Sequence, residues 1–143
     1  MKRKYFILVL VLILTMFLVG CGSSGIVTPA TDEAKIRSVI YEQVLAVNDQ
    51  NWSKAKSYCI YGSDAYYKVC MVEDMFNNLL MICNDLTISA SMIIYNVSIY
   101  GNYSEVYGDC VWVISGCGNI ESTGGVAYTY LQKVGNSWKI YGP

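Results

Sequence analysis

Three sets of side chains in this sequence could carry chemistry. The first is a carboxylate beside a phenol: Asp109 lies two residues past Tyr107, and Glu105 lies two residues before it. A carboxylate base with a donor aimed at a developing oxyanion is the minimum equipment for proton transfer next to a carbonyl. The second set is thiols, at Cys21, Cys59, Cys70, Cys83, Cys110 and Cys117. The third is tyrosine, with 13 in 143 residues, rigid faces suited to stacking on a sugar or a peptide. Histidine is absent. That excludes Ser-His-Asp and Cys-His catalysis, His-based acid/base schemes and zinc sites that use imidazole. There is no Gly-rich phosphate loop and no acidic metal cluster, Glu73-Asp74 being a helix-surface pair. No metal and no cofactor is expected.

Each set has a plainer use. Val106, Cys110, Trp112 and Ile114 share one face of an alternating strand, which puts Glu105, Tyr107 and Asp109 on the opposite, solvated face. No catalytic residue is therefore assigned, and Asp109 as base and Tyr107 as donor stand only as candidates. The five cysteines after Cys21 are an odd number without CxxC spacing, so a zinc ribbon or thioredoxin-like motif is unsupported. Free cysteine behaves as a small buried hydrophobe, which makes most of the five core residues and leaves one disulfide open. Tyrosine suits half-buried strand positions without any ligand.

The elements that must position these groups fall in two blocks. A helix is predicted over 32–49, with Thr31 as N-cap, Asp32 and Glu33 in the first turn, and Ile36, Val39, Ile40, Val44 and Val47 as one stripe. Ser53 can cap a short helix over 54–60, and Ser63 or Asp64 a longer one reaching Asn84. Tyr66, Val69, Cys70, Val72, Met75, Phe76, Leu79, Leu80 and Cys83 give that third helix a face wide enough for burial on more than one side. At Leu86 the period changes to two. Leu86, Ile88, Ala90, Met92 and Ile94 alternate with polar residues, and beyond Ile93 the apolar set moves to Tyr95, Val97 and Ile99. Such a slip marks a β-bulge. Gly101-Asn102, Gly116 to Asn119 and Gly135-Asn136 are turns, separating strands over 103–115, 122–134 and 138–141, with a bend at Gly124-Gly125. The fold class is α+β: N-terminal helices on a strongly curved antiparallel sheet of about four strands.

The first 21 residues stand apart. Lys2, Arg3 and Lys4 precede fifteen uncharged residues, Tyr5 to Val19, and then Gly20-Cys21. This resembles the lipobox of bacterial lipoprotein signal peptides, in which the cysteine, here Cys21, carries the lipid after cleavage before it. A spanning helix needs about 20 apolar residues, more than this run supplies. At ~0.8 kcal/mol per buried methylene, acyl chains on Cys21 would anchor the protein to the extracytoplasmic face of a bacterial cell membrane. Residues 22–31 read as a Gly/Ser/Thr/Pro linker, and 32–143 as a single α+β domain. The signal takes three of the ten basic residues, leaving seven against eleven acidic ones, a net charge of −4. That balance and the lack of a basic patch exclude nucleic acid as a partner.

From about Asp32 to Gly142 the chain resembles the nuclear transport factor 2-like superfamily of cystatin-like cones. The resemblance rests on a first helix ending in Val47-Asn48-Asp49-Gln50-Asn51-Trp52, a short helix, a Ser-Asp-capped helix, long strands, and the closing Gly-Asn-Ser-Trp-Lys-Ile-Tyr. A cystatin-like sheet on one helix is the rival, and three helical segments weigh against it. The resemblance implies a pocket between helices and sheet, in a superfamily that holds enzymes, binders and dimerising scaffolds. No stretch matches the motifs of its ketosteroid isomerases. The reading is a membrane-anchored, extracytoplasmic lipoprotein whose non-enzymatic domain binds a small ligand or an envelope protein, with a homodimer as a further partner. The alternative is a pocket enzyme doing isomerase- or dehydratase-like proton transfer with Asp109 as base.

Overall fold

The computed structural model describes residues 30–142. Cys21, the signal and residues 22–29 of the linker lie outside the described residues. Helix α1 (Asp32–Asn48) begins where Thr31 Oγ1 accepts the Ala34 N–H at 3.2 Å, and it buries Ile36, Ile40, Ala46 and Val47. Its end is set by Gln50, which takes the left-handed conformation at φ 55°. Helix α2 (Trp52–Ser57) starts earlier than the sequence predicts, because Asn51 and not Ser53 is the cap: its side chain accepts the Lys54 N–H at 3.0 Å. Asparagine is among the strongest N-caps, and this start carries Trp52 into the core. The helix stops before Ile60 because residues 58–60 pair with the last strand: the Ile60 N–H donates to Ile140 O and the Ile140 N–H to Tyr58 O.

Helix α3 (Asp64–Leu80) is capped by Ser63, whose hydroxyl accepts the Tyr66 N–H. It ends four residues before the expected Asn84. Met81 and Ile82 turn outward and Cys83 is bonded to Cys117, so the chain leaves the helix axis there. The wide apolar face is also buried on one side only. Ala65, Val69 and Phe76 are in the core, whereas Met75 and Leu79 are exposed. Among the described residues no helix is long and apolar enough to cross a membrane.

Strands β1 (Thr87–Tyr100), β2 (Tyr103–Gly116), β3 (Asn119–Val134) and β4 (Ser137–Gly142) form one antiparallel meander in the order β1-β2-β3-β4. The three turns are where the glycines predict them. The strand ends run slightly longer, and β3 passes through Gly124-Gly125 without a break. The register of β1 on β2 shifts between Ile94 and Asn96, so Tyr95 is the extra residue of the predicted bulge. Tyr95 itself faces outward with Tyr107, and it is Val97 that rejoins the inner set. Gly108, paired with Ile94, is required there: a Cβ would collide with the backbone carbonyl of Ile93. Ile88, Ala90, Ile94, Val106, Leu131, Trp138 and Ile140 line the inner face of the sheet, and the three helices cover it.

Burial carries this structure. The five ion pairs among the described residues have side chains 23–53% exposed, and pairs of that kind contribute about 0–1 kcal/mol each. One of them also positions an element. Lys133 of β3 meets Asp32 at 2.8 Å and lies over the Trp138 ring, tying the start of α1 to the sheet. Lys133 first, then Trp138, hold the Asp32 carboxyl below its ordinary pKa, so this contact stabilises above the ordinary carboxyl range and is lost as acid titrates the group.

The bond between Cys83 and Cys117 joins the segment after α3 to the β2–β3 turn across 34 residues. Closing a loop of that length in the unfolded chain is worth about 3–4 kcal/mol in the chain-entropy model. Cys117→Ser should therefore lower stability by roughly 2–4 kcal/mol, read from the denaturant midpoint. A reductant should destabilise the parent protein and leave the variant unmoved. An unchanged midpoint in the variant would remove the disulfide from the stability of the fold.

Candidate functional site

Between the sheet and the helices lies a cavity of about 230 Å³. Helix α1 supplies Ile40, Gln43, Val44 and Val47, α2 supplies Trp52, and α3 supplies Ala65, Lys68, Val69 and Val72. The sheet closes it with Met92, Cys110, Trp112, Ala127, Thr129 and Ile140. Small residues, Ala65 on α3 and Ala127 on β3, stand on the lining from the two layers where larger ones would fill space. The volume is below the ~300 Å³ at which drug-sized pockets begin, so the site suits a small molecule.

Among the described residues no carboxylate lines this cavity. Asp109 and Tyr107, the sequence's candidates for base and donor, lie on the other face of the sheet. Asp109 accepts a 2.6 Å hydrogen bond from the Tyr95 hydroxyl, and that bond, ahead of burial, raises the pKa of the Tyr95 phenol. The thiols are quiet as well. Burial pushes Cys59 up to about 11, against a 3.1 Å hydrogen bond from the Gln43 amide. Burial likewise raises Cys110, the one thiol on the cavity wall. At neutral pH both are protonated and neither is an activated nucleophile. Cys83, Asp85 and Cys117 bring three possible ligand atoms together, but the disulfide uses both sulfurs, and Asp85 accepts the Cys117 N–H at 2.9 Å.

The tyrosines divide between two places. Tyr58 and Tyr66 pack against the core, whereas Tyr95, Tyr107 and Tyr128 form a ladder across β1, β2 and β3, with ring centres 5.8 and 5.2 Å apart. Tyr103 and Tyr130 extend it through Tyr141, each with a 6.2 Å spacing. Ile93, Val111 and Val126 are exposed on the same face.

Sequence reasoning passed over Lys68 and Gln43, yet a signal was there. Lys68 stands three residues after Ala65 and four before Val72, and Gln43 three after Ile40 and four before Val47. Each is a polar residue set inside an apolar helical stripe, the pattern of a side chain at the mouth of an internal space.

No family model and no curated protein matches the chain. Solved structures do. A conserved protein from Planctomyces limnophilus superposes with a TM-score of 0.61 at 15% identity, over 78% of this chain and 91% of that one. A nuclear transport factor 2-like protein of unknown function from Shewanella oneidensis gives 0.60 at 10% identity, over 78% and 96%. A nuclear transport factor 2-like protein with a cystatin-like fold from Novosphingobium aromaticivorans gives 0.60 at 11% identity, over 78% of each chain. At these identities the likeness is one of fold. Three helices on a four-stranded antiparallel meander, with a cavity between the layers, give this chain the nuclear transport factor 2-like α+β fold.

Proposed function

We propose that the protein is a lipid-anchored, non-enzymatic receptor for a small, largely apolar ligand on the extracytoplasmic face of a bacterial membrane. The observation that carries the binding half is the cavity: it has an apolar wall, a size for one small molecule, and no carboxylate to move a proton. The Cys83–Cys117 disulfide supports the location, since such bonds persist in oxidising compartments outside the cytoplasm. Asp109 lies on the far face, so proton transfer inside the cavity lacks the base that the enzyme alternative needs.

The binding half is tested by titrating 2-naphthamide, a neutral apolar probe, into the full chain held in lipid nanodiscs, with empty nanodiscs as the blank. The expected dissociation constant is roughly tens of micromolar, from the efficiency of well-buried small ligands. Ala127→Trp should fill the cavity and abolish the heat while cooperative unfolding is kept. Unchanged heat from the folded variant puts the binding outside the cavity and refutes the receptor.

The anchor is tested by labelling. Cells expressing the protein should incorporate radioactive palmitate into it, and Cys21→Ser should lose the label and keep the uncleaved signal. An unlabelled parent, or a labelled variant, would move the lipid away from Cys21.

The tyrosine ladder favours a second use, the packing of this sheet face against the same face of a second copy. Val126 sits exposed at its centre. Mild oxidation of membranes carrying Val126→Cys should yield a covalent dimer that Lys35→Cys, on α1, does not. Equal yields from the two variants would exclude the sheet-to-sheet dimer.

A further inference from the structure

We infer that the receptor's ligand is an anion: a small apolar molecule with one carboxylate or similar negative group, which Lys68 meets. This rests on the binding reading above and narrows it to a chemical class.

The described residues hold seven basic side chains. Six are committed within the fold. Lys35 and Lys133 pair with Asp32, Arg37 with Glu33, Lys54 with Glu42 and Lys56 with Glu73, while Lys139 donates to the carbonyl of Ser57. Among the described residues Lys68 alone has neither an ion pair nor a hydrogen bond, although Asp64 stands one turn earlier at the spacing that helical pairs use. It is also the only charged side chain on the cavity wall.

The placement suits recognition. A lysine stem lies along apolar surface while its ammonium reaches the wet end, so Lys68 adds hydrocarbon to the wall and charge to the mouth. Gln43 faces it from α1. Its amide gives one N–H to the Cys59 sulfur, a weak acceptor, and the remaining N–H and the carbonyl have no partner among the described residues. A ligand with an apolar body and an anionic end would bury the body against Val69, Trp52 and Trp112 and set the charge at Lys68. A cation would be repelled there, and a neutral ligand would offer the ammonium at most an uncharged acceptor. One ionised partner makes a hydrogen bond about twice as strong as a neutral one, and a carboxylate at Lys68 adds the attraction of a second charge.

The test compares 2-naphthoate with its neutral isostere 2-naphthamide, titrated calorimetrically into the full chain in phosphatidylcholine nanodiscs, parent and Lys68→Met. The naphthoate should bind the parent about tenfold more tightly than the amide, the preference one charge-assisted hydrogen bond supplies. Lys68→Met should erase that preference, naphthoate and naphthamide then binding alike, while cooperative thermal unfolding reports separately that the variant is folded. Equal affinities in the parent overturn the anion assignment and leave the receptor standing. A preference that survives in Lys68→Met overturns the role of this lysine. Binding of neither probe overturns the receptor reading itself.

Discussion

The fold depends on one side chain that behaves like a strand. At the end of α1, the Asn48 amide donates to the carbonyl of Ala90 at 3.0 Å and accepts the Ala90 N–H at 2.5 Å. A primary amide presents the same donor and acceptor pair as a peptide unit, so Asn48 satisfies edge strand β1 where a neighbouring strand would otherwise be needed. It also fixes the distance between helix and sheet at that point. Arg37 adds a second tie to the carbonyl of Ile94, beside the bulge, and Asp32 a third to Lys133. Between those ties Ile40, Gln43 and Val44 stand on the cavity instead of against the strands. The empty space follows from where the helix is held.

Keeping such a space open has a cost. At ~24 cal/mol per Å³ of unfilled core, a sealed, dry void of this size would cost about 5 kcal/mol, comparable to the net stability of a whole domain. Water reaching the polar ends of Lys68 and Gln43 would reduce that figure, and a bound ligand would recover the dispersion contacts the wall lacks. Two alanines on opposite walls could be exchanged for leucine or valine to close the gap. Their small size is therefore consistent with a wall shaped for an occupant.

What the sequence reveals and what it hides differ by the range of the cause. The bulge at Tyr95 is legible because a parity change is written in consecutive residues, and the hairpins because Gly-Asn and Gly-X-Gly turns are local chemistry. The start of α2 is ambiguous locally, since Asn51 and Ser53 are both good caps, and its end depends on pairing with Ile140, some eighty residues on. The apolar pattern of α3 runs past Leu80, and nothing nearby announces that Cys83 will bond to Cys117. The cavity is least visible of all. Its lining comes from three helices and the sheet, and beyond the family resemblance only the misplaced polarity of Lys68 and Gln43 marks it in the sequence.

The bulge decides what each face of the sheet does. Inserting one residue turns Tyr95 outward, where its hydroxyl meets Asp109 and its ring meets Tyr107. That bond accounts for a carboxylate in mid-strand without any catalytic role, because the charge is held at the surface by a donor across the strand pair. The same insertion restores Val97 to the inner face and brings the carbonyl of Ile93 so close to residue 108 that only glycine fits. Without the bulge, Val97 and Ile99 would fall on the solvent side and Asn96 and Ser98 on the core side, since strand residues alternate strictly. One extra residue thus carries the apolar inner face of β1 past the bulge as far as Val97. It leaves the outer face with an exposed, acidic, tyrosine-rich surface. The two faces are chemically distinct because of it.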